Sequence, residues 1–286
     1  MIDFRTPSAG LSGDDQRRLW LAAPIAVLLL LAGGMFLPTV WSSARAFPAP
    51  SSSPSGPVPP SVSAGSAAEG PVAPPSAPVP VVRDRLSLPG RVPSRGSGRF
   101  DYAPGRSKIL GTAGAVRRFR VAVERGSGES PAAFAADVEA VLGDRRGWIG
   151  SGRLRLQRVA GPEAAAFTVY LATRDTAGRM CADGGVAIAV GGRPYTSCRT
   201  TGRAVINLDR WRLSARPYVA ARAPLTVYRQ YVVNHEVGHE LGRHHEGCPR
   251  RGGPAPVMVQ QTLTLRGCVP YAWPYRGGRL WQGPPV

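Results

Sequence analysis

Apolar residues follow regular patterns after position 90, and these patterns predict strands and helices. Ala115–Glu124 ends in alternating apolar and polar residues, which is typical of a half-buried strand. Ser130–Asp144 has apolar residues at helical spacing. Ser130 can cap this helix, Pro131 suits its first turn, and Gly143 is predicted to end it. The pattern therefore begins with a strand followed by a helix.

The rest of the segment predicts an α+β domain. One long helix, Leu225–Leu241, follows a series of short β-rich runs and precedes an irregular tail. The order of strand, helix, four strands and long helix favours a mixed sheet with the second helix packed under it. The four strand candidates are Arg153–Val159, Ala165–Thr173, Gly185–Gly192 and Arg203–Trp211.

Leu19–Trp41 is an uncharged apolar run of 23 residues. As a helix it would span roughly 34 Å, enough to cross a hydrocarbon core of about 30 Å. Arg17 and Arg18 precede it, so the positive-inside rule predicts a cytoplasmic tail at 1–18 and an extracellular C-terminal part. This indicates a single-pass signal anchor in the cell membrane. The alternative is a secreted protein that is cleaved near Ala46, where small residues form a candidate cleavage site.

Residues 42–90 are rich in proline, serine and alanine, and Glu69 is the only charged residue of Phe47–Val82. Such a composition cannot bury enough apolar surface to fold, so we predict a disordered, semi-rigid linker. The predicted organisation is a tail at 1–18, a transmembrane anchor at 19–41, this linker, and one folded domain at 91–286.

The chain carries a formal net charge of +18, almost all of it after residue 90. A basic surface favours anionic neighbours, and anionic cell-wall polymers are candidates in the predicted compartment. The chain has no phosphate-binding loop of the GxxxxGK[ST] type and no zinc-finger spacing. Nucleic acid is therefore not an expected partner, and DNA binding also conflicts with an exported domain.

Four cysteines all lie in the predicted exported part: Cys181, Cys198, Cys248 and Cys268. An even number in an oxidising compartment predicts two disulfides, and three pairings are possible. The most economical pairing joins Cys181 with Cys198 and Cys248 with Cys268. A cysteine-based zinc site is the alternative, but no CxxC spacing supports it.

All four histidines lie within the segment HEVGHELGRHH. His235 and His239 are four residues apart, which on a helix places both imidazoles on one face, close enough to bind one ion. Glu236 lies about 100° around the helix from His235, so we expect its carboxylate to act as a catalytic base and not as a ligand. This spacing predicts a zinc site.

The third predicted zinc ligand is His245. Gly242 can take the left-handed conformation that ends a helix, which would turn the chain and bring His245 back towards the ion. His244 is the alternative ligand, although the spacing favours His245. Three neutral imidazoles with a fourth position open to water are typical of a catalytic zinc site.

The motif from His235 to His245 resembles the long zinc signature of the metzincin clan of metallopeptidases. The resemblance implies a metzincin-like zincin domain, zinc as the cofactor, and Met258 as the methionine of a turn beneath the metal. The sequence departs from the clan at one position, because Gln260 stands where some members have a tyrosine ligand. Cys248, three residues after His245, is a possible ligand, but its pairing with Cys268 would attach the methionine turn to the zinc helix.

The resemblance also implies an activity. In the clan an extended peptide adds to an edge strand above the zinc, and we expect Gly185–Gly192 to be that edge, with Ala204–Leu208 as the next strand. The predicted function is a membrane-anchored, extracytoplasmic zinc endopeptidase that acts on peptides or proteins. The alternative is a non-catalytic surface or cell-wall binding protein with a structural or vestigial zinc site. The anchor, linker and basic domain are also similar to an exported actinobacterial family of unknown function.

Overall fold

The computed structural model of the protein describes residues 85–286. The predicted cytoplasmic tail at 1–18, the membrane anchor at 19–41 and the linker up to residue 84 lie outside the described residues. Within residues 85–286, no helix is long and apolar enough to cross a membrane.

The strands are β1 Phe100–Tyr102, β2 Ala115–Glu124, β3 Leu154–Arg158, β4 Phe167–Ala172, β5 Ala189–Val190, β6 Arg193–Pro194, β7 Cys198–Thr200, β8 Arg203–Asn207, β9 Tyr275–Arg276 and β10 Arg279–Leu280. The centre of the fold is a mixed sheet in the order β1-β2-β4-β8-β7, and β3 pairs with the first half of β2, Ala115–Phe119. Strands β3, β2, β4 and β8 are parallel neighbours, whereas β1 and β7 are antiparallel edges. Two short hairpins, β5 with β6 and β9 with β10, lie outside this sheet.

Five α-helices connect these strands in the described part of the chain. The first begins where its capping signals predict, because the Ser130 side chain accepts a hydrogen bond from the Ala133 amide at 3.3 Å. Gly143 follows its last residue, also as predicted. The helices are α1 Pro131–Leu142, α2 Arg174–Asp183, α3 Leu208–Leu213, α4 Arg216–Ala220 and α5 Leu225–Glu240, with a 3-10 helix at Trp148–Ser151.

Strand β8 separates two layers of core. Ala204 and Ile206 belong to the main core, which also contains the buried faces of α1 and α5. Val205 points to the opposite face and joins a smaller cluster with Cys181 of α2 and Cys198 of β7. This alternation places α5 on one face of the sheet and α2 on the other.

The structure confirms the α+β class and the mixed sheet, but it corrects the predicted elements in one region. The prediction of a strand over Gly185–Gly192 is wrong, because only Ala189–Val190 forms a strand and it pairs with β6 outside the main sheet. The edge of the main sheet is β7, and helix α2 was not predicted. The predicted strand Arg203–Trp211 ends at Asn207, whose side chain accepts from the Asp209 amide and begins α3.

The structure contains both disulfides of the local pairing, Cys181–Cys198 and Cys248–Cys268, and the described residues include no free cysteine. The packed domain also includes residues before position 91. The Leu225 amide donates to the Arg85 carbonyl at 2.7 Å, and the Leu88 amide donates to the Arg212 carbonyl at 2.8 Å. These bonds attach residue 85 to the start of the histidine-bearing helix and residue 88 to α3.

Candidate metal centre and cleft

Helix α5 carries the first two histidines from the core to a surface cleft. Its residues Tyr228 to Gly238 are largely buried because the helix packs under β8 and against α1. His235 and His239 follow each other by one turn, and their ring centroids lie 4.8 Å apart. The four-residue spacing therefore brings both imidazoles to one place, as the sequence predicts.

The turn after α5 reverses the chain by a glycine-dependent cap. Gly242 has a φ of +83°, a left-handed conformation that glycine adopts without the steric cost of a side chain. The Arg243 amide donates to the Gly238 carbonyl at 2.9 Å, and the Gly242 amide donates to the His239 carbonyl at 3.1 Å. This pair of bonds is a Schellman motif, which ends the helix and returns the chain towards His239.

The reversed chain brings His245 to the other two histidines. One potential ligand atom from each of His235, His239 and His245 lies within 4.8 Å of the others. The Nε2 atoms of His239 and His245 are 3.2 Å apart. Two nitrogens bound tetrahedrally to one zinc at about 2.0–2.1 Å would be about 3.3 Å apart, so the separation of this pair is compatible with a shared metal ion.

Hydrogen bonds fix which ring nitrogen of two histidines is free. His235 Nδ1 lies 2.8 Å from the Val257 carbonyl, and His239 Nδ1 lies 2.7 Å from the Arg243 carbonyl. A carbonyl oxygen only accepts, so each Nδ1 must carry the proton and each Nε2 keeps its lone pair. Backbone carbonyls orient metal-binding histidines in this manner.

Burial keeps all three imidazoles neutral near pH 7. It lowers the pKa of His235 to about 3, and it also lowers the pKa of His239 and His245 below the ordinary histidine value. Desolvation is the largest cause in each case, because a buried imidazolium loses its hydration. Neutral imidazole is the form that binds a cation.

Glu236 lies beside the histidines but is not one of the clustered ligands. Its residue is only 4% exposed, and its carboxyl group borders the cleft. Burial raises the pKa of Glu236 to about 8, and no group among residues 85–286 donates a hydrogen bond to its carboxylate. A buried carboxyl group without such a partner can exchange a proton with a molecule in the cleft.

Met258 lies fully buried against the helix between the first two histidines. A Cβ atom added to Gly238 would lie 2.6 Å from the Met258 sulfur and 2.7 Å from the Trp148 ring, so a glycine is needed for this close approach. The Met258 carbonyl also accepts from the Glu246 amide at 3.1 Å, next to His245. The turn around Met258 therefore supports both the helix and the His245 loop.

Buried tyrosines hold the segment after Met258. Tyr231 donates to the Val259 carbonyl at 3.0 Å and accepts from the Gln261 amide at 2.9 Å. Tyr218 donates to the Gln261 side chain at 2.8 Å, and the hydroxyls of Tyr228 and Thr262 are 3.0 Å apart. These contacts could not be predicted from the sequence, because nothing in the spacing of these residues shows that α4 and α5 meet this turn.

The histidines open into a cleft of about 410 Å³. One side of the cleft is α5 with the His245 loop, and Gln260 and Leu263 also line it. The other side contains Val186–Ile188 and the edge-strand segment Thr196–Arg199. Arg199 crosses to the helix, where its Nε donates to Glu240 at 3.1 Å.

The two alternative ligands, His244 and Cys248, both lie outside the group of clustered ligand atoms. His244 is exposed and lies outside the group of clustered ligand atoms, whereas His245 is within it. Cys248 is bonded to Cys268, so its sulfur has no thiolate to offer a metal. Gln260 lines the cleft and is not among the clustered ligands.

A comparison of the sequence with protein-family models finds one match, over residues 87–271, to a model described as "Protein of unknown function (DUF3152)". No curated protein matches the sequence, and no solved structure matches it. The matched range contains the whole sheet, α1 to α5, the three clustered histidines and both disulfides.

Proposed function

The chain belongs to the DUF3152 family, and we propose that it is a zinc-dependent endopeptidase with a metzincin-like zincin fold. The observation that carries the proposal is the convergence of three neutral imidazoles beside an unpaired, buried carboxyl group. A structural metal site has no use for such a carboxyl group, whereas hydrolysis of an amide needs a group that moves a proton.

His235, His239 and His245 would hold the zinc ion through nitrogen ligands. Three protein ligands are typical of catalytic zinc, while structural sites have four. When bound, zinc supplies a Lewis acid that lowers the pKa of water towards about 7 and polarises a carbonyl group. The Val257 and Arg243 carbonyls keep two of the rings in the required tautomer.

Glu236 is proposed to move the proton. Its carboxylate accepts a proton from the attacking water and later gives it to the amide nitrogen as the carbon–nitrogen bond breaks. The products are a carboxylic acid and an amine, so one water is consumed for each bond cleaved. Burial of Glu236 supports this role, because it brings the pKa of the carboxyl group towards neutral pH.

The proposed substrate is a peptide or protein that lies in the cleft between α5 and β7. Strand β7 pairs only with β8 in the described sheet, so its outer edge is free for strand addition. In this proposal the enzyme lies at the outer face of the cell membrane, attached by residues 19–41, and its basic domain is attracted to anionic wall polymers. The two disulfides agree with an exported domain.

The test replaces Glu236 with Gln in the full chain, purified in detergent. We expect wild-type protein to cleave members of a peptide library and chelator to stop the cleavage, as read by mass spectrometry. Glu236→Gln keeps the shape of the side chain but removes the base, so cleavage should fall by about 10² or more. Its zinc content, from elemental analysis, and its thermal stability should stay near wild type.

Glu163→Gln is the matched control, because it makes the same chemical change outside the cleft and should leave cleavage unchanged. Equal cleavage by wild type and Glu236→Gln would contradict the proposed role of the carboxylate. Zinc binding by both proteins without cleavage of any peptide would instead support the non-catalytic binding protein. Absence of zinc from the wild-type protein would remove the metal site itself.

A further inference from the structure

A second cavity of about 360 Å³ adjoins the cleft, and the two share Thr262 and Leu263 in their linings. This second cavity, here called the arginine pocket, lies between the β5–β6 hairpin and the start of α4. Its charged lining residues are Arg174, Arg193, Arg210, Arg216 and Asp209. A ligand in the cleft therefore has access to a strongly basic pocket.

The charges of the arginine pocket are not balanced by the protein. Arg174 pairs with Asp209 at 3.2 Å and with Asp175 at 3.3 Å. Arg193, Arg210 and Arg216 have no carboxylate within salt-bridge distance in the part of the chain that the structure describes. Three arginines therefore line one cavity without a carboxylate partner of their own, because its one acidic lining residue, Asp209, pairs with Arg174.

Arg210 is held in place before any ligand binds. Its guanidinium stacks on the Tyr195 ring with 4.2 Å to the centroid, and one of its nitrogens donates to the Ser214 carbonyl at 2.6 Å. Its Nε is buried without a hydrogen-bond partner in the described structure. An arginine has five N–H donors, so this fixed side chain retains donors for a ligand.

The rim of the pocket suits a peptide side chain. Val190 and Leu263 are 50% and 43% exposed, and they provide apolar surface beside the arginines. A carboxylate matches the two parallel donors of a guanidinium, and its methylene groups can contact the apolar rim. Phosphate would satisfy the donors equally well, but an unmodified peptide carries only carboxylates as anions.

We propose that the arginine pocket binds a carboxylate of the peptide that occupies the cleft, and so directs the enzyme to acidic substrates. The proposal rests on the proposed function only in that the cleft receives a peptide. The carboxylate belongs to an Asp or Glu side chain or to a free carboxyl terminus, since both present the same group. Arg193 and Arg216 are its exposed ligands and Arg210 is its fixed one.

The experiment measures binding with the Glu236→Gln chain, so that peptides are not consumed. The probes are fluorescein-labelled, amidated decapeptides with a single Glu at successive positions, each matched by the same peptide with Gln. One further Gln peptide has a free carboxyl terminus in place of the amide. We expect Glu at one register, or the free terminus, to tighten binding by about tenfold, as read by fluorescence anisotropy.

Arg193→Gln/Arg216→Gln should abolish this preference and leave the affinity for the best Gln peptide within about twofold. Arg145→Gln/Arg153→Gln is the matched control, because it removes two exposed charges outside both cavities and should keep the preference. Preference that survives loss of Arg193 and Arg216, or that falls equally in the control, would overturn the proposal. Failure to bind any peptide would also overturn it. The same holds if polyphosphate binding depends on Arg193 and Arg216 while peptide binding does not.

The two proposals fail in different ways. If peptides with a carboxylate bind more tightly but the wild-type chain cleaves none, the proposed peptidase activity is contradicted and the pocket assignment stands. Cleavage of neutral and acidic peptides at equal rates, with equal affinities, would leave the peptidase intact and contradict the pocket. The acid and amide forms of the terminal group distinguish the two sources of carboxylate.

Discussion

The two sides of the cleft are built differently. On the helix side, made of α5, the His245 loop and the turn at Met258, the central side chains are buried: His235 is 6% exposed and Met258 is 1% exposed. The strand side, residues 186–199, consists of a loop, a largely exposed hairpin of two two-residue strands and the start of a three-residue edge strand. One disulfide, Cys181–Cys198, joins this side to α2.

This difference indicates that the helix side provides the metal and proton-transfer groups and that the strand side binds substrate. On the helix side, packing and backbone hydrogen bonds hold each group to a narrow range of positions, which a metal site and a proton-transfer group require. On the strand side, Ile188 and Cys198 are buried, but residues 189–193 are exposed and can change with little cost to the core. Changes on the helix side should therefore affect metal and rate, and changes on the strand side should affect substrate binding.

The largest effect is expected from His245→Ala on the helix side. Loss of one of three nitrogen ligands should lower the zinc content of the purified chain well below one ion per molecule. Peptide cleavage should fall by about 10² or more, because a site without zinc has no Lewis acid. Elemental analysis and cleavage assays measure the two effects.

His244→Ala is the control for this ligand. The His244 side chain is exposed and outside the clustered ligands, so its zinc content should match wild type. If His244→Ala loses zinc and His245→Ala keeps it, the two histidines have been assigned the wrong way round.

The next largest effect is expected from removal of the disulfides, since one lies on each side of the cleft. Cys181→Ser/Cys198→Ser should lower the free energy of unfolding by about 3 kcal/mol, because this disulfide joins cysteines 17 residues apart and restricts the unfolded chain accordingly. It should raise KM more than it lowers kcat, and zinc should remain. Cys248→Ser/Cys268→Ser loosens the loop that follows His245, so its main effect should be weaker zinc retention under chelator.

Denaturant unfolding, steady-state kinetics and zinc release measure these outcomes. Loss of zinc from the Cys181→Ser/Cys198→Ser chain, with zinc retained in the other double variant, would reverse the assignment of the two sides.

The histidine site could be predicted because its information is local. Four-residue spacing on a helix, a glycine three residues later and another histidine after the turn determine where His235, His239 and His245 meet. Strand β2 and helix α1 were predicted for the same reason, since alternation and capping residues lie within each element. The contacts of Tyr231 with Val259 and Gln261 depend on distant packing and were not predictable.

The strand side was predicted poorly because its signals depend on distant contacts. Gly178 lies in the middle of α2 and weakens the helical pattern there. A Cβ atom at this position would lie 2.6 Å from Pro194, so glycine is required by packing that the sequence does not show. Gly191 and Gly192 have φ values of +58° and +75°, and they make a hairpin turn at the end of the predicted strand.

The smallest effect is expected at Gly242, which ends α5 on the helix side of the cleft. Its φ is +83°, and an added Cβ would meet no atom within 4 Å, so the cost of Gly242→Ala is backbone strain alone. We expect a loss of about 1 kcal/mol in the free energy of unfolding, from denaturant titration, with some weakening of zinc affinity because His245 follows the turn. Gly242→Asn should lose less, because asparagine tolerates the left-handed conformation better than alanine. Equal losses for Ala and Asn would mean that φ is not what this position requires.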